Sequence, residues 1–296
     1  MPSRRVPPPP GARPVGTRPA DTPADSTAGP ARTGPATGGR HGLASLPPGR
    51  SPLIALVMLL GAGALATGMA AGRPALAAAV LVVQLVLGLC WLTLLQATLA
   101  TGSLVGLAAL ACDSLLLRTE RADAGSVAGV IGLAFLAAIG SQLLRRGRRE
   151  VTAGIAAALS GVVLVASAAL ILPLRQFASG REIALTALVA TAVALVGARL
   201  VPGPGLVIRG GSLLVAVVVG ARFGATVQDL STVTALTTAA LAGLVALVID
   251  LGVLRLSGTV GRRQLPALRP VAALLPVVAT LPVVYVIGWI VGQAGT

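Results

Sequence analysis

Nine runs of apolar residues, most of them about as long as a bilayer core is thick, constrain this chain more than anything else in it. They are Pro52–Ala70, Ala75–Leu99, Gly102–Leu117, Ser126–Leu144, Val151–Pro173, Ile183–Val201, Gly205–Ala221, Thr232–Leu254 and Pro270–Gly292. A helix rises about 1.5 Å per residue, so roughly 20 apolar residues cross a hydrocarbon core about 30 Å thick. The third and seventh runs fall short of that length. No run alternates polar and apolar residues, which sets aside an outer-membrane barrel. Charged residues make up 11% of the chain, under half the roughly 25% of a soluble domain. The expected fold is all-α: a polytopic transmembrane bundle of about nine helices over residues 51–296, preceded by a tail.

Charge orients such a bundle, because arginines flanking a span stay on the cytoplasmic side. The densest cluster, Arg145, Arg146, Arg148 and Arg149, lies between the fourth and fifth runs. With the N-terminus cytoplasmic, the inside segments are the tail, a turn near Ala100, the 145–150 loop, the 199–209 loop and the 255–269 loop. They hold 17 of the 23 arginines, and ten against six when the tail is left out. Both rich loops fall inside only if residues 75–117 form two helices, since one helix of that length would be about 64 Å long. The last run then travels outward, bends at Pro276 and Pro282, and brings Tyr285 and Trp289 to the outer headgroups, where amphipathic rings settle.

Residues 1–50 hold 12 of the 21 prolines and seven arginines with few large apolar residues, a composition that predicts disorder. The tail is either simply solvated or drawn to anionic headgroups. The formal charge of +14 tracks the ends of spans, which points to a membrane surface and away from nucleic acid. Lysine and asparagine are absent and all basic residues are arginine, a bias typical of GC-rich bacterial genomes, and the expected location is the bacterial cytoplasmic membrane. The lone histidine, His41, sits in the tail, so histidine acid–base chemistry and histidine-ligated zinc are not expected. Cys90 and Cys112 read as small packing residues. No cofactor, metal site or catalytic residue is expected.

The polar groups inside the runs are the candidates. An ionised carboxylate in hydrocarbon is costly, so Asp113 and Asp250 either pair with a nearby arginine (Arg118 and Arg255 stand closest in sequence) or contact a cation or headgroup, Asp250 being favoured for the latter. Gln84 and Gln96 in the second run and Gln142 in the fourth read as glue between helices or, less simply, as substrate contacts. The Pro202–Gly205 turn with Gly210 and Gly211 marks either a rigid turn before a frayed helix start or a broken helix lining a cavity. Gly-x-x-x-Gly pairs occur at Gly68/Gly72, Gly102/Gly106, Gly125/Gly129, Gly220/Gly224 and Gly288/Gly292. With this much glycine, about four or five such pairs arise by chance, so the motif says nothing of oligomers.

The hexapeptide Arg149-Glu150-Val151-Thr152-Ala153-Gly154, with Ile249-Asp250-Leu251 and Leu274-Leu275-Pro276, resembles the phosphatidate cytidylyltransferases (CDP-diacylglycerol synthases) in outline. It is equally similar in composition to other polytopic inner-membrane proteins of GC-rich bacteria. The cytidylyltransferase resemblance implies a lipid-headgroup protein in which Asp250 occupies an acidic signature position. That family's C-terminal catalytic signature is missing: between Leu251 and Pro276 there is no acidic residue, histidine or lysine. The resemblance therefore implies a degenerate, non-catalytic relative. The expected function is a structural, accessory or transport-type membrane component that meets the bilayer and its anionic headgroups, with room for an unidentified membrane-protein partner. A transporter would gather polar groups around a water-filled cavity near Gln84, Gln96 or Asp113. A headgroup enzyme would set further carboxylates beside Asp250.

Overall fold

The computed structural model describes residues 52–118, 124–143, 151–201, 205–257 and 264–294. Among them it is helical throughout, without strands. The helices are α1 (Pro52–Ala71), α2 (Arg73–Leu94), α3 (Leu99–Arg118), α4 (Ala124–Leu143), α5 (Val151–Ala169), α6 (Ile171–Leu174), α7 (Gly180–Leu200), α8 (Gly205–Thr226), α9 (Thr232–Ser257) and α10 (Leu265–Ala294). Eight are long and apolar enough to cross a membrane when α5 and α6 count as one, and the 20-residue α4 adds a shorter apolar segment. This is an integral, multi-pass membrane protein. The tail and Arg145, Arg146, Arg148 and Arg149 lie outside the described residues, as do residues 202–204 and the side chain of Gln142.

Several boundaries differ from the sequence-based expectation, each for a local reason. The turn expected near Ala100 falls earlier, because Gln96 adopts a left-handed backbone (φ 51°) that ends α2. The amide of Ala97 donates to Leu92 O at 2.9 Å and that of Gln96 to Thr93 O at 3.3 Å, the paired bonds of a Schellman stop. Gln96 is therefore exposed in the turn between α2 and α3 and not inside a helix. The third and seventh runs, expected to be short, form helices of 20 and 22 residues. The fifth run is interrupted at Leu170, since Pro173 has no N–H to offer Ala169 O; Leu170 N instead bonds Ser167 O at 3.3 Å. Helix α8 passes through Gly210 and Gly211 without a break, so they do not mark a discontinuous helix.

Lipid tails are as apolar as leucine, so helices in a bilayer associate through close packing and interhelical hydrogen bonds. The longest helix, α10, supplies the centre: it packs on α1, α2, α5, α6, α7 and α9. On one side α7, α8 and α9 form a tight triple. The buried residues of α8 are Ser212, Ala216, Gly220 and Gly224, a strip of small side chains four apart. A Cβ at Gly220 would stand 2.8 Å from Ala239 Cβ and 2.9 Å from Ala190 Cβ, and one at Gly224 2.8 Å from Ala235 Cβ. On the other side α2, α3, α4 and α5 pack together.

Connections among the described residues are short. A single residue, Gly72 (φ 124°), joins α1 to α2, a conformation that favours glycine. Gly180 lets α7 begin hard against the carbonyl of Leu174. Phe177 seats against Gly288 and Gly292 and stacks, tilted, on Tyr285 with ring centroids 5.9 Å apart. Tyr285 is thus buried against the bundle, while Trp289 is half-exposed.

Cross-helix bonds report the threading. Arg73 donates to Leu116 O at 2.8 Å, and Arg175 to Met69 O at 3.2 Å. Both oxygens belong to last-turn carbonyls that a helix leaves unbonded. Gln264 reaches Leu94 O at 3.2 Å at the opposite end. Every one of these ties joins helix ends that strict up-and-down threading puts on one side.

Because Gly220 has no slack, Gly220→Val is expected to lower stability by about 1–3 kcal/mol through overpacking. Gly129→Val, with nothing within 4 Å of its Cβ position, is expected to be nearly silent. Thermal unfolding of both variants in detergent makes the comparison.

Candidate functional site

Among the described residues two buried sites are built around an aspartate. The first ties α7, α8, α9 and α10 together at one end. Arg199, in the last turn of α7, is 3% exposed, and Asp250 on α9 is 1% exposed. The guanidinium of Arg199 forms a salt bridge through Nη2 with Asp250 Oδ1 and donates to Ala272 O of α10 at 3.0 Å. Arg209 on α8 reaches the other carboxylate oxygen, Oδ2, at 3.4 Å. A carboxylate in lipid is tolerable when charge-assisted bonds replace its water.

The carbonyl of Ala272 is open to Arg199 for a reason visible in the chain. Four residues on stands Pro276, inside α10, which has no N–H and leaves that carbonyl without its helical donor. Arg199 fills the vacancy as a neighbouring side chain does in a membrane bundle. Two guanidinium groups against one carboxylate leave the cluster with one excess positive charge. Arg199 Nη1 and Arg209 Nε are buried without a hydrogen-bond partner.

The second site lies toward the other end, between α2, α3 and α5. Gln84, fully buried, donates from Nε2 to Asp113 Oδ1 at 3.2 Å and to Val165 O at 2.8 Å. Asp113 is 5% exposed. Gln84 Oε1 and Asp113 Oδ2 are buried with no partner. Beside Gln84 is a void of about 20 Å³, lined also by Gly88, Gly102, Val105, Gly106 and Val165, room for about one water.

The candidate residues therefore fall into place unevenly. Gln84 and Asp113 come together; Gln96 does not join them. Asp113 bonds Gln84 in place of Arg118, which is exposed. Asp250 pairs with arginine as one alternative had it, but its partners are Arg199 and Arg209 and not the exposed Arg255. In the sequence Arg199 and Arg209 stand only as loop charges. The proline four residues beyond Ala272 and the need of Asp250 for a cation were the signals that could have singled them out.

Among the described residues no three of His, Cys, Asp and Glu gather in a way that could hold a metal ion. An open apolar groove of about 730 Å³ lies between α1, α7 and α8, lined by residues such as Leu59, Val196, Val207 and Val215. The chain matches no protein-family model, no curated protein and no solved structure.

Removing one member of a buried ion pair strands the other. Asp250→Asn is accordingly expected to destabilise the bundle by roughly 3–5 kcal/mol, whereas Arg255→Gln, at an exposed position, should stay within about 0.5 kcal/mol. Chemical unfolding in detergent distinguishes them.

Proposed function

We propose that the chain is a non-enzymatic structural or accessory component of the bacterial cytoplasmic membrane, its N-terminus inside and its C-terminus outside. One observation carries this reading: among the described residues the two buried aspartates are engaged by neighbouring helices, Asp113 by Gln84 and Asp250 by Arg199 and Arg209. Polar chemistry within the bundle is thus directed between helices. The uneven arginine distribution supports the orientation.

The bilayer is the first partner. Arg209 keeps 20% of its side chain exposed and belongs to a cluster with a positive charge to spare, which suits the phosphate of an anionic headgroup. The arginines at 145–149 and in the tail add attraction of about 1 kcal/mol each where they reach the surface. A membrane-protein partner would find α8 largely uncovered, with Leu206, Val207, Leu214 and Val218 exposed. Remote kinship with the cytidylyltransferases would make Asp250 a surviving signature acid in a lipid-headgroup protein. The arginine pairing of Asp250 weighs toward the structural role.

A transport reading is favoured by the Gln84–Asp113 pair, which has two unpartnered oxygens and a water-sized void beside Gln84. Flux decides between the two. Proteoliposomes carrying the full chain are expected to take up protons and small solutes no faster than protein-free liposomes. Native mass spectrometry should show anionic lipid retained by the wild type and less of it by Arg209→Gln. Saturable uptake that depends on the protein would overturn the structural reading in favour of transport.

A further inference from the structure

The second buried site has an imbalance of donors that one hydrogen atom would correct. The amide of Gln84 has two hydrogens, and both are used, on Asp113 Oδ1 and Val165 O. Its own oxygen, Oε1, receives nothing, and neither does Asp113 Oδ2. A glutamine oxygen and an ionised carboxylate are acceptors only. Turning the amide over does not help, because Oε1 would then face Asp113 Oδ1 and Val165 O, which are acceptors too. Two buried acceptors left unbonded in hydrocarbon carry a large desolvation cost.

Among the described residues no cation pairs with the carboxylate. Of the elements packed on α3, helices α4 and α5 contain no charged residue, and the α2 arginine, Arg73, donates to Leu116 O. Arg175, just after α6, donates to Met69 O. On α3 itself Arg118 is exposed, and the nearby thiols are Cys112, buried, and Cys90 of α2, half-buried. The described ion pairs of the bundle belong to Asp250 and not to Asp113.

We infer that Asp113 is a proton-binding site: its carboxyl carries a proton on Oδ2 and donates it to Gln84 Oε1, closing a cyclic acid–amide pair. One proton from water adds to the carboxylate and no other bond changes. Oδ2 becomes a donor, Gln84 Oε1 gains its missing partner, and the net charge of the pair goes from −1 to zero. A neutral pair is also what the bilayer tolerates best. The ligand is a proton. The competing ligand for the same oxygens is a monovalent cation such as sodium. This inference is independent of the structural role proposed above, since a static proton serves packing as readily as a mobile one serves transport.

Infrared difference spectroscopy on the full chain in nanodiscs at neutral pH tests it. Wild type minus Asp113→Asn is expected to show a protonated-carboxyl C=O stretch, insensitive to sodium. Gln84→Leu should keep that band but move it to higher frequency, because the acid loses its hydrogen-bond partners. Asp113→Asn should unfold close to the wild-type temperature, since an amide NH2 can donate where the acid did. A difference spectrum without the band overturns the inference. So does a wild-type melting temperature raised by sodium but not by potassium or choline, which would mark a carboxylate–cation site. If Asp113→Asn fails to fold, wild type against Gln84→Leu decides: an unmoved carboxyl region is the contradicting result.

Discussion

One guanidinium group holds an end of this bundle together. Arg199 links three helices at once: α7, which bears it; α9, through the carboxylate of Asp250; and α10, through the carbonyl of Ala272. Arg209 brings in α8. In water such a pair would contribute little, because each ion is already well solvated. In lipid the alternative to pairing is a bare charge in hydrocarbon, so each member binds the others to their places. Pro276 takes part by withholding a hydrogen, which leaves the acceptor that Arg199 uses.

Along the rest of α7, α8 and α9 the helices are held by closeness. Ser212, Ala216, Gly220 and Gly224 allow α8 to approach two neighbours until side chains of one carbon touch. Many short contacts at that distance replace the hydrophobic force that lipid does not provide. Far from Arg199, Phe177 against Gly288 and Gly292 performs a similar service for α10.

How much of this could be read in the chain depended on range. Spans were legible because length and apolarity are local properties, and Pro52, Val151 and Thr232 begin helices where the runs begin. Asp113, Asp250 and Gln84 stood out because polar groups in hydrocarbon need a reason. Their pairings did not, because residues 29 and 51 positions apart meet only after folding. Gln96 misled by lying in an apolar run; its left-handed backbone, which ends α2, has no glycine or asparagine to announce it. The burial of Tyr285 was not legible, because composition says nothing of the Phe177 ring that covers it. The glycine pairs were uninformative as a count, and only the structure separates Gly220, which has no space, from Gly129, which has nothing but space.

An excess of arginine at one face of the membrane and an odd number of crossings are the two halves of the proposed orientation. They meet at the end of the chain: nine spans from a cytoplasmic N-terminus put residue 296 outside. A reporter pair fused after Thr296, alkaline phosphatase in one strain and green fluorescent protein in another, reads this directly. High phosphatase activity without fluorescence is the outcome the account predicts. Fluorescence without phosphatase activity would place the C-terminus in the cytosol and contradict it.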